Sequence, residues 1–356
     1  MSSKHWTVLS DGARPTEDIY LLGSAAPLLE GQGHLVQRIV ASRVAVAAWW
    51  QRSRLRGRLD EHHLVICRSL PLAWVAWLER QRHRLGSITY LIDDDLEVAA
   101  RDPRLPAAYR ARMARIAHLQ PRLLALADTV VACSEQLAAR LRPRHASVHV
   151  LTPPLLAPLP PRHHFEQGPS ENAPWQLGFH GTRAHLPDLD HIAPALVELQ
   201  THRQDMQLEI MLGDHAPPTL ASLPGVRTPK PLPWEAFQAY QRQHRFHIGL
   251  APLWETPFNA GKSFIKFLDI AAMGGVGIYS DRYPYTAIVR HGENGLLAGD
   301  SPGEWQAAIT RLLDDPVSAG AMAAQAADDA RRLGEPGTAA QFWAALPHSH
   351  RLDDQG

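Results

Sequence analysis

Short β-branched apolar runs alternate with longer stretches whose apolar positions recur at helical spacing, and the alternation continues along most of the chain. WTVLS (6–10), HLVICRS (63–69), SITYLIDDD (87–95), DTVVACS (128–134) and SVHVLTPP (147–154) read as strands. Between them 34–50, 71–84, 107–126 and 135–143 read as helices, with Pro71 suited to a first turn and Ser134 to an N-cap. The Pro-dense run that begins PPLLAPLPP at residue 153 has no periodicity and marks a linker. Beyond it the pattern restarts. Strands are expected at 175–181, 206–213, 246–253 and 276–281, helices at 186–202, 233–244, 262–275 and 301–315, and then an Ala-rich helical tail. Strands alternating with helices predict parallel sheets covered on both faces. The expected architecture is α/β, two Rossmann-like domains with parallel sheets facing a cleft. The divisions are 1–155, a linker at 156–174, a second domain at 175–330 and a tail at 331–356. Ligands of such sheets bind at the C-terminal ends of the strands.

Length and composition agree with this reading. A chain of 356 residues, 45% hydrophobic and 20% charged, is ordinary for two α/β domains. Cys67 and Cys133 sit in strand-like runs and read as buried small apolar residues, with no zinc or disulfide spacing. The start lacks the apolar run of a signal peptide and no stretch is long enough to span a membrane, so the cytoplasm is the expected compartment.

Charge changes the picture more. The net charge of zero hides a balance of +7 in residues 1–155 against −7 in the remainder. The basic excess clusters at Arg52, Arg54, Arg56 and Arg58, at Arg80, Arg82 and Arg84, and at Arg110, Arg112 and Arg115. A basic face suits an anionic partner: a membrane surface, a phosphate-linked acceptor or nucleic acid. It equally suits a set of solvated helices. The segment VAVAAWWQRSRLRG (45–58) can rest on a membrane surface or form a core helix with a basic end.

Candidate chemistry gathers in residues 246–298. The loop TPFNAG, with Asn259, delivers a helix bearing Lys262 and Lys266 four apart and Asp269 three further on. On a helix these would share a face, near an N-terminus that attracts anions. The pattern fits a diphosphate clamp with Asp269 toward ribose hydroxyls, and it also fits a surface helix with an ion pair. In the first half, Asp93, Asp94 and Asp95 follow a strand. Neighbouring side chains alternate, so the three cannot converge on one metal ion.

The whole stretch resembles the donor-binding segment of GT-B glycosyltransferases of the group 1, family 4 class, in a polysaccharide-synthesis branch. There a K-x-x-E-x-x-A-x-G helix precedes a strand ending in Ser-Asp, a Pro-Tyr element and an I-x-x-G-x-N-G-L-L loop. Here the matching residues are Lys266, Asp269, Ala272 and Gly274; Ser280 and Asp281; Pro284 and Tyr285; and Ile288, Gly292, Asn294, Gly295, Leu296 and Leu297. LGFHGTRAHLPDL is similar to the first strand–loop–helix of the donor domain, placing His180, Gly181, Thr182, Arg183 and His185 near the diphosphate. VICRS resembles an acceptor-domain strand ending in Arg68, and TYLIDDDL one whose acidic residues face the cleft.

The resemblance implies transfer of a sugar from a UDP- or GDP-linked donor to a glycan, lipid-linked or other acceptor in surface polysaccharide or glycoconjugate synthesis, with retention and without a metal or other cofactor. Lys262, Lys266 and Arg183 would stabilise the departing diphosphate. Asp94 or Asp95 would orient the acceptor hydroxyl or act as base, beside Arg68 and Asp93. Gly181, Thr182, His180, Asn259, Asp269, Ser280, Pro284 and Tyr285 would hold the donor. The chain departs from the pattern at Asp269, usually Glu; at Gly261, where the paired acid is expected; at Gly275–Val276; and at His247, where Asp is common. These departures leave open a nucleotide-sugar-binding scaffold without turnover. An epimerase or hydrolase on the same fold is a further alternative.

Overall fold

The computed structural model describes residues 4–55, 62–166 and 173–346. Two six-stranded, all-parallel sheets form two lobes. The first holds β1 His5–Ser10, β2 Leu35–Val40, β3 His62–Cys67, β4 Ile88–Ile92, β5 Thr129–Ala132 and β6 Val148–Val150, in the order β2-β1-β3-β4-β5-β6. The second holds β7 Trp175–Phe179, β8 Met206–Ile210, β9 Val226–Arg227, β10 Ile248–Ala251, β11 Val276–Ser280 and β12 Leu296–Ala298, in the order β12-β11-β10-β7-β8-β9. Every residue of β3, β4, β10 and β11 is buried, as strands covered on both faces require. In the second sheet the order reverses between β7 and β10, and in the first between β1 and β3. Adjacent loops there leave in opposite directions and open a crevice.

Most expected elements form close to their predicted bounds. The helices Ala107–Leu126 and Leu186–His202 match theirs end to end. Ser134 caps Glu135–Leu141 by accepting from the Leu137 N–H, and Ser301 forms a reciprocal cap with Glu304. Both cysteines are buried and free.

Two expectations need correction. Residues 34–50 are not one helix but β2, a turn, and the helix Val46–Leu55. Apolar residues at 35, 36, 39 and 40 fit either period, and pairing with β1 settles the choice in favour of a strand. The helix expected at 262–275 spans only Ile265–Ala272, and Lys262 stands before it in extended backbone (φ −71°, ψ 155°). The two lysines therefore do not share a helix face.

Tryptophans 49 and 50 turn toward the lobe. Trp49 is buried against Trp74 and Trp77, and Trp50 packs on Trp77. Arg56 and Arg58 lie outside the described residues. Among the described residues no helix is long and apolar enough to cross a membrane.

The chain passes between the lobes twice, and the two passages touch. The Leu155 N–H donates to Gly334 O at 2.8 Å, and a Cβ on residue 334 would come within 2.8 Å of Leu155 N, so glycine permits the approach. The helix Pro336–Ala345 then joins the first lobe's core, where Trp343 is fully buried, packs edge-on to Trp6 and donates to Tyr20 O at 2.7 Å. The connecting segment is also pinned to the second lobe. His164 Nε2 donates to Phe246 O (2.8 Å), and His247 accepts from the Gln176 N–H (2.9 Å) while donating to His164 O (3.0 Å). The histidine at 247 is thus a brace between sheet and linker.

Two outcomes follow from this packing. Trp343→Ala is expected to cost about 3–5 kcal/mol in chemical denaturation, the usual loss for a buried Trp. Burial lowers His164 to about 4, and burial also lowers His247. The unfolded chain binds protons to these rings near pH 6.5 and the folded chain does not. Stability is therefore expected to fall as pH drops from about 6.5 toward about 4. Replacing both rings with Gln should flatten that segment of the stability–pH curve.

Candidate active site

The crevice between the lobes is a cleft of about 800 Å³, the size of a cofactor or nucleotide site. Its first-lobe wall is built by the loops after β1, β3 and β4 and by the start of the helix Ala107–Leu126. Its second-lobe wall comes from the loops after β7, β8 and β10 and from the helix Ile265–Ala272.

At the floor, β3 is followed by Arg68, whose backbone is left-handed (φ 60°) and whose carbonyl accepts from Tyr90 Oη at 2.9 Å. This turn directs the guanidinium at the end of β4. Nη2 donates to Asp94 Oδ2 at 2.9 Å, and Nε lies 3.3 Å from Asp93 Oδ1. Asp93 also accepts from Thr16 Oγ1 at 2.6 Å. From the other lobe Lys262 crosses over the Phe258 ring, 4.1 Å from its centroid, and places Nζ 2.5 Å from Asp94 Oδ1. Burial alone would raise the Asp94 carboxyl, but Lys262 and Arg68 outweigh it and hold it below the ordinary value. Burial prevails at Asp93 and lifts it. For Lys262, burial lowers the ammonium and Asp94 more than offsets it, so the net shift is upward. Asp95 diverges from its neighbours. It caps the helix Leu96–Arg101 through the Val98 N–H (3.0 Å), pairs with Arg140 at 2.6 Å and does not line the cleft. Asp93 and Asp94 thus share Arg68 while Asp95 turns away; the run lies past the end of β4, so strand alternation does not set its directions.

On the second lobe, β7 runs out to His180, Gly181 and Thr182, all lining the cleft. His180 Nε2 lies 2.8 Å from Glu209 Oε1, which also accepts from Tyr240 Oη at 2.6 Å, and burial lowers the ring against the pull of Glu209. Arg183 lines the cleft and touches only His215 (3.3 Å), with no carboxylate partner among the described residues. Lys266 and Asp269 face the cleft as a 3.1 Å pair, and Gln241 holds the other Asp269 oxygen at 3.1 Å. Tyr285, buried and tilted against Tyr279, completes this wall.

Three predicted donor contacts lie behind the wall instead of on it. Asn259 is buried and donates to Asp188 Oδ1 and Trp254 O, both at 2.9 Å. Ser280 accepts from the Leu253 N–H at 2.8 Å. Pro284 is buried after a cis peptide bond. Their side chains shape the loops that carry Lys262 and Tyr285. The organiser that sequence reasoning missed is Asp188, in the first turn of the helix Leu186–His202. It is 2% exposed and ties together His185 (2.8 Å), the Trp254 N–H (2.7 Å) and Asn259. Thr16, Tyr109, Arg112 and Arg115 were also missed as cleft residues. The loop after β1 offered a signal for Thr16, since a strand at the sheet's reversal point delivers its loop to the crevice.

The lobes are joined across the cleft by more than Lys262. Ser134 Oγ donates to Gly261 O at 2.7 Å, Trp234 Nε1 to Asp18 Oδ2 at 2.7 Å, and the Glu135 N–H to Tyr283 Oη at 3.2 Å. Among the described residues no group of three His, Cys, Asp or Glu side chains converges as a metal-ligand set.

Two Rossmann-like lobes, opposed strand ends and a returning C-terminal helix define a GT-B fold. No family model matches the chain, and no curated protein matches it. Solved structures do. It is similar to the sucrose-phosphate synthase of Thermosynechococcus elongatus, at 15% identity and a TM-score of 0.66, covering 96% of this chain and 98% of that one. It is similar to Anabaena HepE in complex with UDP and glucose, at 13% identity and 0.60, covering 96% and 98%. A glycosyltransferase from Rickettsia africae shows 12% identity and 0.60, covering 97% of each chain. At such identities the likeness is one of fold.

The Lys262–Asp94 contact can be measured. A double-mutant cycle of Lys262→Met and Asp94→Asn is expected to show a coupling of about 1–3 kcal/mol in folding stability. Additivity within about 0.5 kcal/mol would mean that the pair does not join the lobes.

Proposed function

We propose that this chain is a metal-independent, retaining glycosyltransferase that moves a sugar from a UDP- or GDP-linked donor to a glycan or lipid-linked acceptor in surface polysaccharide or glycoconjugate assembly. The reading rests on one observation: two cations, Lys266 and Arg183, line the second-lobe wall of an interdomain cleft at the point where the strand order reverses.

Transfer breaks the bond between the anomeric carbon and the diphosphate oxygen, and negative charge grows on that oxygen as the sugar becomes oxocarbenium-like. Preorganised cations lower that barrier most effectively in a site walled from bulk water. Lys262 is already neutralised by Asp94, so in this reading Lys266 and Arg183 carry the stabilisation and Lys262 holds the floor. Asp269 accepts ribose hydroxyls, and His180, Gly181 and Thr182 border the diphosphate. Asp94, bound to two cations and held below the ordinary carboxylate value, is a weak base. The acceptor proton then goes to the leaving diphosphate, which is why we favour retention. Asp93 and Arg68 orient the acceptor.

Calorimetric titration with UDP and GDP, followed by turnover of the matching nucleotide sugars, tests this. Lys266→Ala is expected to lower kcat by about 10²–10³, the usual loss for one electrostatic donor. Unchanged turnover would remove Lys266 from the mechanism. Nucleotide binding without turnover across acceptors would identify a scaffold, and donor consumed without any acceptor an epimerase or hydrolase.

A further inference from the structure

The helix Ala107–Leu126 presents Ala108, Tyr109, Arg112 and Arg115 to the cleft. Spacings of three and four put these residues on one helical face. Residues 107–126 contain Arg110, Arg112, Arg115, His118 and Arg122 and no Asp or Glu. Arg122 is paired with Glu79. Arg112 and Arg115 are exposed and have no carboxylate partner among the described residues, and Arg112 sits 5.1 Å from the centroid of the Tyr109 ring.

The cleft's other charges sharpen the point. Arg68 and Lys262 are compensated by Asp93 and Asp94, and Lys266 by Asp269. The uncompensated arginines and lysines lining the cleft are Arg183 on the donor wall and Arg112 and Arg115 on the opposite wall. A donor diphosphate held at Lys266 and Arg183 leaves the two first-lobe arginines without a counter-charge. Like charges left facing each other on a cleft wall repel unless a ligand supplies the opposite sign.

We propose that the acceptor is anionic, carrying a phosphate or carboxylate that Arg112 and Arg115 bind while its hydroxyl points at the donor. This rests on the glycosyl-transfer reading of the cleft. Guanidinium forks suit either group. Tyr109 holds the Arg112 guanidinium over its ring and so limits its freedom before the ligand arrives.

Calorimetry on the full chain, with and without saturating UDP or GDP, separates the possibilities. The probes are glucose, glucose 6-phosphate and glucuronate. Wild type is expected to bind at least one charged sugar about tenfold or more tightly than glucose, as one charge-assisted hydrogen bond contributes. The tighter of the two names the anionic group. Arg112→Gln with Arg115→Gln should abolish that preference and leave nucleoside diphosphate affinity unchanged. Both positions are exposed, and an unchanged circular dichroism melt confirms that the variant folds. Equal binding of all three sugars by wild type overturns the proposal. So does a parallel loss of nucleoside diphosphate binding in the double variant, which would assign the arginines to the donor. If wild type binds neither UDP nor GDP, the glycosyl-transfer reading itself fails, a result visible before any sugar is added.

Discussion

The ion pair between Lys262 and Asp94 is the contact on which the rest of the site depends. It brings a charge from the second lobe against a charge from the first at the floor of the cleft. Neither group is well hydrated, so each needs the other; a buried charge stripped of its partner is costly. Arg68 completes the arrangement from the end of β3, held there by a left-handed backbone that a side chain adopts only under constraint. Because the pair spans the lobes, their separation and the electrostatics of the floor are one problem.

That coupling sorts the cleft's charges by task. Where a carboxylate compensates a cation, the pair is architectural, and it fixes where the walls stand. Where a cation faces the cleft with little compensation, it is available to a ligand. Lys266 is intermediate, since its partner Asp269 is also held by Gln241 and faces the same space. Arg183 has no such partner among the described residues. The reversal of strand order makes this division possible, because it delivers loops from both sheets to one crevice.

Much of the fold was legible. Period-two and period-3.6 stretches identified most of the strands and long helices, and the cap Ser134 acts through the bond its residue type suggests. The region near 34–50 was not legible because its apolar positions satisfy both periods, and only pairing with β1 decides between them. For the site, the spacing of Lys262, Lys266 and Asp269 picked out three residues that line the cleft but misjudged their geometry, because the helix begins after Lys262. Asn259, Ser280 and Pro284 lie in that stretch yet support the wall from behind. Sequence neighbourhood cannot separate lining from support, which is set by side-chain direction. Asp188 went unrecognised for the complementary reason: its partners at 254 and 259 come close only when β7 and β10 pair. Arg112 and Arg115 were visible as part of a basic cluster, but their shared face with Tyr109 gains meaning only from where the second lobe stands.

The central claim is that Lys266 and Arg183 receive a diphosphate inside the interdomain cleft. A crystal structure of the chain soaked with UDP or GDP tests it most directly. The account predicts phosphate oxygens within about 3 Å of both side chains, the hydrogen-bond distance of charge-assisted pairs. A nucleotide bound on an outer face, or one whose phosphates point away from both residues, would contradict it.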